Sequence, residues 1–247
     1  MPASTPIRLA LWSGPRNIST AMMRSFESRS DSFVTDEPLY SHYLKVTGIL
    51  HPGRDEVIAH HESDWRKVVA WLTGPVPGGK ALWYQKHMAH HLLPEIDRSP
   101  NGWLSHLENC FLIREPRAML ASFAKVMPNP TIEDTGLPQQ VELFEQLRAR
   151  NGIEPPVIDA RDVLLDPRRT LSALCDRVGI EFQESMLAWS PGRRATDGIW
   201  AEHWYAEVER STGFAPYRPK GDDLPDRLEP LAEQCSLLYE GLAGHRL

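Results

Sequence analysis

The chain has 247 residues, with 27 Lys and Arg against 33 Asp and Glu, a formal net charge of −6 at pH 7. This length suits one α/β domain, 1–247, with a sizeable buried core, and the acidic balance argues against broad nucleic-acid binding. Cys110, Cys175 and Cys235 are too widely spaced for a disulfide framework or a metal pattern. No secretory leader and no apolar run of about eighteen residues is apparent. A cytoplasmic protein without a membrane span is therefore expected.

In chain order, the apolar run 7–12 predicts a buried parallel strand. Ser13-Gly14-Pro15 breaks it, and a helical pattern follows over 19–29. Further strands are expected at 32–35, 82–85, 110–113 and 157–159. Helices are expected at 64–72, 116–126, 139–150 and 167–178, and a final amphipathic helix at 228–242. Strands alternating with helices imply a parallel sheet covered on both faces, three layers in all. Ligands of such sheets bind beyond the carboxyl ends of the strands. Arg16, Glu37, His87 and Arg114 each follow a predicted strand and should share that rim. The proline-rich loop 127–138 is placed to act as a lid or substrate wall. The part from about 185 to 247 reads as helix and loop, rich in aromatics.

The turn after the first strand is suited to an anion. Arg16 offers a planar donor fork. Asn17, Ser19 and Thr20 add polar groups where the helix begins, and a helix N-terminus presents unpaired N–H groups. The loop is not a Walker A sequence, since no Gly-Lys precedes Ser19. A second turn follows Cys110-Phe111-Leu112-Ile113: Arg114-Glu115-Pro116, with Ser122 eight residues after Arg114. Two anion sites on one sheet suggest a nucleotide with phosphates at both ends.

Together the segments resemble the sulfotransferase family. Pro15-Arg16-Asn17-Ile18-Ser19-Thr20 is similar to its 5′-phosphosulfate loop, with Ile18 in place of the usual glycine. Arg114-Glu115-Pro116 with Ser122 is similar to its 3′-phosphate segment. Val157-Ile158-Asp159-Ala160-Arg161-Asp162-Val163-Leu164-Leu165-Asp166-Pro167 resembles a family scaffold element. The resemblance implies a P-loop-like nucleotide-binding fold and 3′-phosphoadenosine 5′-phosphosulfate as co-substrate. It also implies a small-molecule acceptor and no required metal. Arg193 and Arg194, in a looser match near Gly198 and Trp200, would be further nucleotide contacts.

Sulfuryl transfer needs a base for the acceptor proton and donors for developing charge. Two residues compete to be the base. Glu37, in Thr35-Asp36-Glu37-Pro38-Leu39, resembles the Glu-Pro-Leu segment of bacterial and carbohydrate-directed sulfotransferases. His87, in Gln85-Lys86-His87, resembles the Lys-Thr-His segment of cytosolic ones. The pattern favours Glu37, which the inferred strand order puts between the two phosphate turns. Lys86 would contact the leaving phosphate or the sulfuryl group. His87 and His91 also have the spacing of two zinc ligands on a helix, with no third ligand in sight. Trp200, Trp204, Tyr205 and Phe214 could wall an acceptor pocket or form a satellite core. The alternatives to a sulfotransferase are a small-molecule kinase or nucleotide hydrolase with an atypical phosphate loop, and a non-catalytic nucleotide-binding module. Oligomeric state is not readable from the sequence.

Overall fold

A computed structural model describes residues 5–99, 101–219 and 224–247. Five parallel strands, β1 (Ile7–Ser13), β2 (Ser32–Asp36), β3 (Leu82–Met88), β4 (Glu108–Ile113) and β5 (Val157–Asp159), form one sheet in the order β2-β3-β1-β4-β5. Every predicted strand is present. β3, however, runs on to Met88, so His87 lies inside the strand, opposite Trp12 of β1. Glu37 does not lie between the two phosphate turns. It follows the edge strand β2, which β3 separates from β1.

Helix α1 (Ser19–Glu27) links β1 to β2. Helices α2 (Tyr40–Thr47), α3 (Arg54–His60) and α4 (Trp65–Leu72) lead to β3. Helices α5 (Pro116–Phe123) and α6 (Leu137–Asn151) link β4 to β5. The chain then forms α7 (Ala160–Leu165) and α8 (Pro167–Val178), the short α9 (Ala201–Trp204) and α10 (Ala206–Arg210), and the closing α11 (Glu229–Ala243).

Alternation along β1 splits the core, because successive strand side chains point to opposite faces. Leu9 and Leu11 pack with Met22, Met23 and Phe26 of α1 and Leu171, Leu174 and Val178 of α8. Ala10 and Trp12 pack with Leu72 of α4 and Leu143, Phe144 and Leu147 of α6. The helix after β1 thus covers one face, and α6, which follows β4, covers the other. Neighbouring strands whose connections leave on opposite faces open a crevice at their carboxyl ends. The loops ending in α1 and α5 border that crevice. Among the described residues no helix is long and apolar enough to cross a membrane.

Candidate active site

The loop after β1 carries an unusual backbone. Arg16 has φ 54° and Glu37 has φ 38°, and among the described residues these two are the non-glycine residues with positive φ. A left-handed conformation costs a side-chain-bearing residue about 1–3 kcal/mol and persists where the surroundings enforce it. Ile18, where the family pattern has glycine, has φ −94° and needs none; the left-handed turn falls at Arg16 instead. Gly14 is required for space: a Cβ there would stand 2.3 Å from the carbonyl oxygen of Thr135. The proline-rich loop therefore lies directly against the phosphate-type loop.

Ile18 is the N-cap of α1 and its side chain accepts no hydrogen bond from the first turn. An apolar cap leaves the first-turn N–H groups available to an anion. Helix α5 contrasts with it, because the Glu115 carboxylate accepts from the N–H groups of Arg117 and Ala118 at 2.9 and 2.7 Å. Pro116 occupies its first turn, as expected. At the second turn the groups available to an anion are therefore side chains.

Those side chains converge. The Arg16 Nε donates to the Ser122 hydroxyl at 3.0 Å. The Arg114 Nη1 donates to the Arg16 carbonyl oxygen. Burial, and then the nearby Arg16 guanidinium, lower the pKa of Arg114. Among the described residues neither arginine forms an ion pair with a carboxylate. Two guanidinium groups held together without a carboxylate suit a phosphate or sulfate ligand. Asn17 braces the loop instead of facing a ligand: its amide donates to the Leu112 carbonyl at 3.0 Å and its carbonyl accepts from the Ile18 N–H at 2.9 Å. Ser19 is buried and Thr20 half-buried at the start of α1.

Glu37 lies beside a buried charge cluster. Its N–H donates to the Lys86 carbonyl at 3.0 Å, which extends the β2–β3 ladder past Asp36. Its carboxylate accepts from the Lys86 Nζ at 2.7 Å and is 13 % exposed, against 1 % for Lys86. Burial, opposed by Lys86 and reinforced by Asp36, leaves the Glu37 pKa above the ordinary carboxylate value. Burial alone would lower the pKa of the Lys86 ammonium, but Asp36 and Glu37 more than offset this and hold it well above its usual range. The ammonium donates to Asp36 at 2.9 Å, Glu37 at 2.7 Å and the Tyr205 hydroxyl at 2.5 Å. All three Lys86 donors are thus taken by protein oxygens, and none is turned to a nucleotide. Removing one partner from such a buried pair typically costs about 3–5 kcal/mol.

His87 is placed differently from expectation. It is buried within β3, its ring stacks on Trp12 with centroids 4.2 Å apart, and Nε2 meets the Gln85 side-chain oxygen at 3.3 Å. Burial lowers its pKa to about 3, so the ring is neutral at ordinary pH and a weak proton acceptor. Because His87 belongs to a strand, it does not share a helical face with His91, which sits in a short turn after β3. Among the described residues no group of three or more His, Cys, Asp or Glu is arranged to hold a metal ion.

Arg194 is not brought to the two turns. Arg193 is exposed, while Arg194 approaches Glu27 at 3.8 Å and donates to the Ser190 carbonyl. Glu27 ends α1, roughly 12 Å along the axis from Ser19 at 1.5 Å per residue. Trp200 and Tyr205 join Tyr40, Tyr43 and Leu44 in a satellite core with Trp204 at its margin, and Phe214 packs elsewhere, against Trp189. The sequence reading missed Asp36 and Tyr205 as neighbours of Glu37. Asp36 was visible next to Glu37, but nothing local ties Tyr205 to it across so many residues.

A family model described as Sulfotransferase domain matches residues 7–234. Two Arabidopsis thaliana proteins, branched-chain-amino-acid aminotransferase-like protein 2 and protein 1, are 38% and 39% identical over 95% of this chain. The chain spans 41% of the length of each. Among solved structures, the sulfotransferase domain from the curacin biosynthetic pathway superposes with TM-score 0.52 and 16% identity, covering 95% of this chain and 99% of that one. The sulfotransferase domain of the Synechococcus PCC 7002 olefin synthase gives 0.52 and 18%, covering 96% and 97%. A sulfotransferase from Alicyclobacillus acidocaldarius gives 0.51 and 10%, covering 99% and 98%. At these identities the structures speak for the shared fold, and the family model supplies the assignment: the chain belongs to the sulfotransferase family.

Proposed function

We propose that the donor is 3′-phosphoadenosine 5′-phosphosulfate and that the sulfuryl group passes to a hydroxyl or amine of a small-molecule acceptor, in the cytoplasm. In this reading the first-turn N–H groups of α1, Ser19, Thr20 and Arg16 hold the 5′-phosphosulfate. Arg114 and Ser122 hold the 3′-phosphate. Glu37 takes the acceptor proton as the sulfuryl group leaves the bridging oxygen, and the departing adenosine 3′,5′-bisphosphate keeps its charge against the arginines. The observation that carries the reading is the pair of left-handed non-glycine residues. Arg16 and Glu37 are the residues that the reaction needs at its two poles.

The direct test incubates the chain with donor labelled in its sulfuryl group and pools of sugars, phenols, simple alcohols and amines. The expected result is enzyme-dependent label in one acceptor class, suppressed by adenosine 3′,5′-bisphosphate. Transfer from γ-labelled ATP with none from the sulfuryl donor would instead make the chain a kinase.

A further inference from the structure

Asp36, Lys86 and Tyr205 form a connected buried cluster that the chemistry above does not use. The Tyr205 hydroxyl accepts from Lys86 at 2.5 Å and donates to the two Asp36 oxygens at 2.8 and 2.7 Å. The Gly198 N–H donates to Asp36 at 3.1 Å, and the Trp200 indole N–H donates to the Tyr205 hydroxyl at 3.3 Å. Asp197, next to Gly198, is paired with the buried Arg24 of α1 at 2.6 Å. The segment 197–205 is thereby fastened to the ends of β2 and β3, and the free end of this network is the Glu37 carboxylate. Glu37 is held at two points by one residue, through its N–H on the Lys86 carbonyl and its carboxylate on the Lys86 ammonium.

We propose that Lys86, with Asp36 and Tyr205 behind it, is a positioning residue that fixes the Glu37 carboxylate on the rim, and that segment 197–205 is the strap that keeps it there. A carboxylate on a left-handed backbone has few orientations, and a three-oxygen cradle for one ammonium selects among them. The lysine is itself immobilised, because its other two donors are spent on Asp36 and Tyr205. This assignment rests on Glu37 being the base. The charged and titratable groups facing Glu37 are Lys86 from β3, Asp36 from β2, Tyr205 between α9 and α10, and Tyr40 from α2.

The test follows the Glu37 carboxyl by carbon NMR in protein labelled at glutamate carboxyls, with the resonance assigned by its loss in Glu37→Gln. It needs neither donor nor acceptor. Lys86→Met should raise the Glu37 titration midpoint by about one pH unit or more, since an opposite charge at this range lowers a carboxylate by that much. Lys86→Arg should restore most of the shift. Asp36→Asn combined with Lys86→Met removes both buried charges and serves if the single variant does not fold. In it the midpoint should also rise, because the nearer charge is the lysine. Affinity for adenosine 3′,5′-bisphosphate, measured in parallel, should stay within about threefold of the parent. An unchanged Glu37 midpoint in a folded Lys86→Met or double variant overturns the proposal. So does a large loss of bisphosphate affinity without a shift, which would make Lys86 a nucleotide contact. Should Glu37→Gln retain full transfer while the Lys86 variants still move the Glu37 midpoint, the assignment of the base falls and the positioning of Glu37 by Lys86 stands.

Discussion

Glu37→Gln is expected to lower the sulfuryl-transfer rate about 10²–10⁴-fold, the usual yield of a positioned general base, with donor affinity little changed. His87→Asn should act more mildly, through the packing of Trp12 against that ring. The two candidates also differ in pH dependence. A general base works only when deprotonated, so the rate falls as pH drops through its pKa. Burial raises the Glu37 pKa above the ordinary carboxylate value, which puts the acid limb above the ordinary carboxylate range. A His87 base would put the limb near pH 3, since burial lowers that imidazole to about 3. Rates of both variants across pH separate the cases. Near-full activity in Glu37→Gln beside an inactive His87→Asn would reverse the assignment.

Arg16→Ala is expected to weaken donor binding and lower turnover together. A charge-assisted contact of this type contributes on the order of 1.5–3 kcal/mol, which is roughly a ten- to hundredfold change in affinity. Arg16→Lys should recover only part of it, because a point charge does not reproduce a planar fork. Arg16 also stands at φ 54°, where glycine is unstrained. Arg16→Gly should therefore lose donor binding while holding or raising the melting temperature. Calorimetric titration with the bisphosphate and thermal melts of the three variants check these outcomes. Unchanged affinity and rate in Arg16→Ala would remove this loop from the phosphosulfate site.

Local patterns made the fold legible. The β1 run ends in Ser13-Gly14-Pro15, Pro116 begins a helix as its missing N–H allows, and Pro167–Val178 is a helix with the bounds expected. The end of β3 was not legible, because Lys86 and His87 look like rim residues in sequence. Both are buried, one by ion pairing and the other by stacking on Trp12. Strand order is a long-range property, and the placement of β3 between β1 and β2 could not be read from any single segment. The nearness of Arg16, Arg114 and Ser122 could be read, because residues at strand ends on one side of a parallel sheet must converge. Arg193 and Arg194 had only composition and a loose spacing behind them, and Arg194 reaches the far end of α1.

Calorimetry comparing adenosine 3′,5′-bisphosphate with 5′-AMP tests the proposed donor most directly. The pair Arg114 and Ser122 has no use for a nucleotide without a 3′-phosphate. The bisphosphate should therefore bind at least about tenfold more tightly, from a contact on the order of 1.5–3 kcal/mol, and Arg114→Ala should erase the difference. Equal affinities for the two nucleotides in the parent chain would contradict the assignment of the 3′-phosphate site and, with it, of the donor.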